Sequence, residues 1–151
     1  MVDWSDPSSK ISKYFTVGEA TYLKRWNTHH VPSDEEKANI VEHAKRMDEA
    51  REAVGRPFKV HVWIRPTSAN CPNTPFHGKN YNALVGGAKH SAHIVGKATD
   101  FDAGQDCDDT RTTLESKLED IGLRMEKNPG SDWVHLDSAA VPPGGNRYFQ
   151  P

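Results

Sequence analysis

The densest chemistry in the chain sits at His93, Asp100 and His135. His93 lies on the approach to an apolar stretch, and Asp100 lies inside it, in Ala98-Thr99-Asp100-Phe101. On a strand, Ala98, Asp100 and Asp102 share one face while Thr99 and Phe101 take the other. A carboxylate in such a largely buried run needs a cation or several donors. His135 falls in the middle of a second apolar run, Trp133-Val134-His135-Leu136. Two imidazoles and a carboxylate are ordinary zinc ligands, and a catalytic zinc site uses three protein ligands and keeps one position open. Asp132 stands at the mouth of the same run, where a carboxylate beside an attacking water takes its proton and returns it to the leaving amine. Arg65, held by Pro66 at the end of Phe58–Ile64, offers a planar fork to a carboxylate or a developing oxyanion. Ser91 is a candidate substrate donor or a turn cap. Trp133 shares the His135 face and is the best candidate for a groove wall, whereas Trp63 and Tyr81 suit either groove or core.

Each assignment has a plainer alternative. His93 caps a turn, Asp100 sits on an edge strand, His135 is a satisfied core histidine, Asp132 is a turn acid after Gly130, or Arg65 is a solvated strand end. A His and an Asp alone are a weak pattern. Their force comes from the second histidine on a separate apolar strand.

The elements that must position these residues are legible from periodicity and caps. Residues 1–13 read as an N-terminal arm and residues 14–151 as one catalytic domain. Thr16 and Glu19 form a capping box that opens a short helix expected through Trp26. Ser33 and Glu36 form a second, opening a helix with Ala38, Val41, Ala44, Met47 and Ala50 at helical spacing and Gly55 as its stop. His43 in that helix reads as a surface or boundary residue. Phe58–Ile64 reads as a strand, and 66–79, with three Pro, two Asn and a Gly, as a long loop. A brief helix at 80–85, a strand at 98–101, a helix at 112–121 capped by Thr112 and Glu115, and a hairpin of 123–126 with 133–137 follow. The tail 138–151 reads as coil. The class is α+β, a small antiparallel sheet with helices packed on it.

Composition bounds the function. At 151 residues, 35% apolar and 26% charged, the chain is one globular domain without a disorder signature. A formal net charge of -2 and no basic stripe argue against nucleic acid as the partner. No stretch is long and apolar enough for membrane insertion. The start Met1-Val2-Asp3-Trp4 has no basic region followed by an apolar one, which sets an expectation of cytoplasmic synthesis without a signal peptide. A monomer is expected. Cys71 and Cys107 are too few for a disulfide framework and are either two free thiols or one bridge. Asp102, Asp106, Asp108 and Asp109 lack the calcium-loop pattern and read as a solvated acidic loop. A phosphoryl-transfer enzyme would want a more basic approach or carboxylates for a second metal.

Ser91-Ala92-His93-Ile94-Val95-Gly96-Lys97-Ala98-Thr99-Asp100 resembles the Ser-x-His-x-x-Gly-x-Ala-x-Asp signature of the M15 zinc peptidases. That group holds D-alanyl-D-alanine carboxypeptidases and dipeptidases and phage endolysins that cut L-alanyl-D-glutamate bonds. Tyr81–Lys89 resembles the Asn-x-x-Val-Gly-Gly-Ala stretch upstream, Ile64-Arg65-Pro66 the Tyr-Arg-Ser/Thr-Pro segment, Tyr14–Glu19 the Phe-Thr-x-x-Glu opening, and Asp132–His135 the closing acid-x-x-His. The resemblance implies an M15 or hedgehog-type fold, zinc on His93, Asp100 and His135, Asp132 as general base and acid, and Arg65 at the oxyanion. It implies peptidoglycan stem or cross-link peptides containing D-amino acids as substrates, cut by a phage-type endolysin that reaches the cell wall on release. A D-alanyl-D-alanine carboxypeptidase, or a non-catalytic zinc-stabilised wall-binding or virion module, are the alternatives. Two features depart from the pattern: Asp132 where many members have Glu, and Trp63-Ile64 where the usual Gly-Tyr precedes the Arg.

Overall fold

The computed structural model describes residues 1–151. Helix α1 (Val17–Thr21) is followed by a short hairpin of β1 (Tyr22–Leu23) and β2 (Thr28–His29). The long helix α2 (Asp34–Val54) comes next, then β3 (Lys59–Val62), α3 (Tyr81–Leu84) and β4 (Ala98–Asp102). Helices α4 (Cys107–Glu115) and α5 (Leu118–Ile121) lead to β5 (Arg124–Glu126), β6 (Val134–Asp137) and β7 (Tyr148–Phe149). The main sheet runs β3-β4-β6-β5-β7.

Two of the three predicted capping boxes form: the Thr16 and Ser33 hydroxyls accept the N3 amides, and Glu19 and Glu36 return the bond. Gly55 ends α2 at φ 74, a left-handed conformation that costs glycine nothing. The first helix is shorter than expected. It stops at Thr21, because Tyr22 turns extended and pairs with His29, leaving a 3-10 turn at Lys24–Trp26. The stripe that α2 buries is also displaced: Ile40, His43, Ala44, Met47 and Ala50 face inward, and Ala38 is exposed. His43 is therefore a core residue, wholly buried, and not a boundary one. Its ring bridges Thr99 Oγ1 and Ser138 Oγ, both at 3.1 Å, so its polar atoms are satisfied. Burial pushes its pKa down to about 3.

The sheet separates two environments. Thr99 and Phe101 of β4, Val134 and Leu136 of β6 and Met125 of β5 are buried on the α2 side. Each such aliphatic or aromatic side chain contributes roughly 1.5–3 kcal/mol through burial. The opposite face carries Asp100, His135, Asp137, Arg124 and Glu126. Register enforces this: Asp100 pairs with His135, and Arg124 with Asp137. A bulge at His61 lets Val62, two residues past Val60, face Asp100, one residue before Phe101. That extra residue re-phases β3, so Trp63 turns into the core against Phe15 and His43.

Three further expectations change. The third cap is Asp106, not Thr112, so α4 begins at Cys107 and Asp106–Asp109 form a helix start instead of a free loop. The tail is not all coil: Tyr148 and Phe149 add a strand parallel to β5, so the sheet is mixed at that edge. The arm packs down as well, with Ile11 buried and the Gly18 amide donating to the Pro7 carbonyl at 2.8 Å. Cys71 and Cys107 are both free and buried.

Candidate metal centre

His93 sits in the 3-10 turn Ala92–Val95, capped by the Ser91 hydroxyl and closed by Gly96 at φ 82. A side chain at Gly96 would meet Ile40 Cγ1 at 2.7 Å, so this glycine lets α2 approach the turn. The turn is strapped to the end of β3 twice. The Arg65 amide donates to the His93 carbonyl at 2.8 Å, and His93 Nδ1–H donates to the Trp63 carbonyl at 2.6 Å. With Nδ1 committed, Nε2 is the nitrogen that faces Asp100 Oδ1, at 3.2 Å.

His135 is fixed in the opposite sense. Its Nε2–H donates to Asp137 Oδ2 at 2.8 Å, and its Nδ1 faces Asp100 Oδ1 at 2.9 Å. One Asp100 oxygen thus lies between two imidazoles, and the ligand atoms of His93, Asp100 and His135 lie within 4.8 Å of one another. Two nitrogens and one oxygen, each ring oriented by an acceptor behind it, are a donor set that fits zinc. Burial alone would raise the Asp100 pKa, but the hydrogen bonds from His135 and His93 outweigh it and hold the carboxyl well below its usual range. Burial would lower His135, yet its bonds to Asp100 and Asp137 outweigh that and raise it to about 9. The first shift keeps the carboxylate charged, and the second keeps a proton on His135 until a metal displaces it.

The triad opens into a cavity of about 380 Å³ that also holds Arg65, Ser91 and Trp133. Arg65 Nη2 donates to Ser91 Oγ at 3.2 Å, and its buried Nε has no partner. Burial lowers the Arg65 pKa, and the charges of Asp100 and Glu126 pull the other way. Ser91 therefore both caps the turn and anchors the guanidinium. Trp133 is exposed and forms part of the rim, whereas Trp63 and Tyr81 are buried.

Asp132 is not among the residues that line this cavity. It is exposed and lines a neighbouring one with Asp102, Asp106 and Asp108. Trp133, two residues before His135, lines the site, while Asp132 precedes the strand. The Trp133 carbonyl accepts from Arg111 Nη1 at 2.8 Å, which holds the segment in place. The carboxylate that does line the cavity is Glu126, one residue past the Met125–Leu136 pair and so opposite His135. Its Oε2 accepts from Asn128 Nδ2 at 2.7 Å. Glu126, Asp137, Arg124 and Phe149 are site residues beyond those expected from sequence. Alternation in 124–126 and 135–137 was a signal for the first three, whereas Phe149 arrives only by pairing with β5.

A family model described as Peptidase M15 matches residues 13–137. The match takes in the turn and the two strands that carry the triad, and the chain belongs to this family of peptidases. A search for similar curated proteins finds no match.

Proposed function

We propose that the chain is a zinc peptidase that hydrolyses peptide bonds of peptidoglycan stem or cross-link peptides containing D-amino acids, in the manner of a phage-type endolysin released to the cell wall. The observation that carries the reading is the convergence of His93 Nε2, Asp100 Oδ1 and His135 Nδ1 at the base of an open cavity that also holds an anchored arginine. Zinc held there would polarise the scissile carbonyl and acidify a water. Arg65 is the oxyanion donor in this reading: Ser91 fixes one arm of the fork, and the unpartnered Nε–H is free for the oxygen that gains charge. Ser91 and Trp133 complete the substrate surface.

The water's proton passes to a carboxylate and then to the leaving amine. Asp132 holds that role by the acid-x-x-His resemblance. A second assignment, Glu126, is favoured by its position in the cavity opposite His135. Endopeptidase cleavage is preferred over removal of a terminal D-Ala, which would need a grip on a free carboxylate. A non-catalytic zinc-stabilised module would leave Arg65 without a task.

The test is direct. Protein purified without added metal is expected to carry about one zinc per chain, and to release new amines from purified peptidoglycan, located by mass spectrometry of the products. Absence of zinc, or of any new amine, would sink the proposal. New amine only at chain-terminal D-Ala would replace the endopeptidase with a carboxypeptidase.

A further inference from the structure

His135 is oriented by something unlike the device behind His93. A neutral backbone carbonyl, that of Trp63, accepts from His93. Behind His135 stands a buried carboxylate, Asp137, which is itself held by a cation. Arg124 Nε and Nη2 donate to the two oxygens of Asp137 at 2.7 and 3.0 Å, a bidentate fork. The Ala139 amide adds a third donor at 3.2 Å. The guanidinium in turn lies over the ring of Phe149, 4.3 Å from its centroid. Phe149 pairs with Glu126 across the β5–β7 edge and also meets the His135 ring edge-on.

We infer that Phe149, Arg124 and Asp137 form a positioning chain that fixes Nδ1 of His135 toward the metal, so that the terminal strand β7 governs zinc retention without supplying a ligand. This rests on the proposed zinc site. Asp137 is almost wholly buried, and an isolated buried carboxylate is costly, so its charge persists only because Arg124 and His135 share it. A buried ion pair is weak evidence for stability in its own right, which leaves orientation as its use here. An anionic acceptor on the far nitrogen makes the near nitrogen a better metal ligand and blocks the ring flip that would present Nε2. Arg124 keeps Asp137 aligned with both oxygens occupied, and Phe149 holds Arg124 flat against the sheet edge.

The experiment measures zinc affinity by chelator competition at pH 7.5 for wild type, D137N, R124M, R124K and F149A, each stripped and checked for folding by circular dichroism. D137N is expected to bind zinc roughly 10–100-fold more weakly, in the range for loss of a ligand's supporting group. R124M and F149A are expected to weaken binding in the same direction, and R124K to recover part of the loss. Neither position supplies a ligand, so these two variants carry the test if D137N does not fold. Long-range proton–nitrogen spectra of the loaded wild type should show His135 bound through Nδ1 with a proton on Nε2. Zinc affinities within twofold of wild type across folded variants, or His135 bound through Nε2, would overturn the inference. Failure of the wild type to take up zinc would overturn the proposed function and this inference together.

Discussion

Without metal, His135 is expected to act as the cation of its own site. Both ring nitrogens face carboxylate oxygens, Asp100 at 2.9 Å and Asp137 at 2.8 Å, so the ring carries two protons and its pKa rises from 6.5 to about 9. A pKa raised on folding contributes stability that is fully present below the unfolded value and is lost as pH rises through the folded one. The window is therefore pH 6.5 to about 9. At about 1.4 kcal/mol for each pH unit crossed, the metal-free protein should lose about 3 kcal/mol over that range. Zinc competes with the Nδ1 proton, so the dependence on the metal runs the other way. Its affinity should rise about tenfold per pH unit until His135 deprotonates, with one proton released per ion bound near neutrality. Urea unfolding in a chelator at pH 6.5, 7.5 and 9 reads the first effect. Calorimetry in buffers of different ionisation enthalpy reads the second. A metal-free stability flat across this window, or the same slope retained in H135Q, would refute the reasoning.

Three other outcomes are expected. The paired variants D132N and E126Q separate the two candidate acids: the proton carrier should lose roughly 10²–10⁴-fold in kcat at full zinc occupancy, and the other should stay near wild type. R65K should fold and bind zinc but lose roughly 10²-fold in turnover, because lysine keeps the charge but loses the planar fork that reaches Ser91 with one arm and a developing oxyanion with another; a rise in KM with unchanged kcat would make Arg65 a ground-state binder instead. G96A should cost about 2–4 kcal/mol in denaturant unfolding, since its new methyl would lie 2.7 Å from Ile40 Cγ1 in a left-handed backbone; an unchanged midpoint would mean that α2 yields at no cost.

The parts of the molecule written in local chemistry were legible from sequence. Capping boxes at Thr16 and Ser33, the stop at Gly55 and the hairpin of 124–126 with 134–137 are set by neighbours within a few residues. The ligand triad was legible for a different reason: polar residues inside apolar runs have few ways to be satisfied. What could not be read depends on distant register. Tyr22 leaves the helix because His29 pairs with it, and His43 is buried because Thr99 and Ser138 meet it from the sheet. Tyr148 and Phe149 join the sheet through pairing with β5, which a Pro- and Gly-rich tail gives no local hint of.

The division of labour across the sheet has a consequence for how such a molecule can change. His93, Asp100 and His135, with the groups that aim them at Trp63 and Asp137, hang from paired strands and one capped turn. Much of the cavity wall is drawn from elsewhere: Gly86–Ala88 and His90 from the loop after α3, Trp133 from the loop before β6, and Pro151 from the end of the chain. Lengthening or recolouring those loops reshapes what the cavity admits and leaves the donor atoms where they are. New bond preferences can thus arise by exchanging rim segments on an unaltered reaction centre, and a library confined to residues 86–90 and Trp133 would sample specificity with little risk to metal uptake.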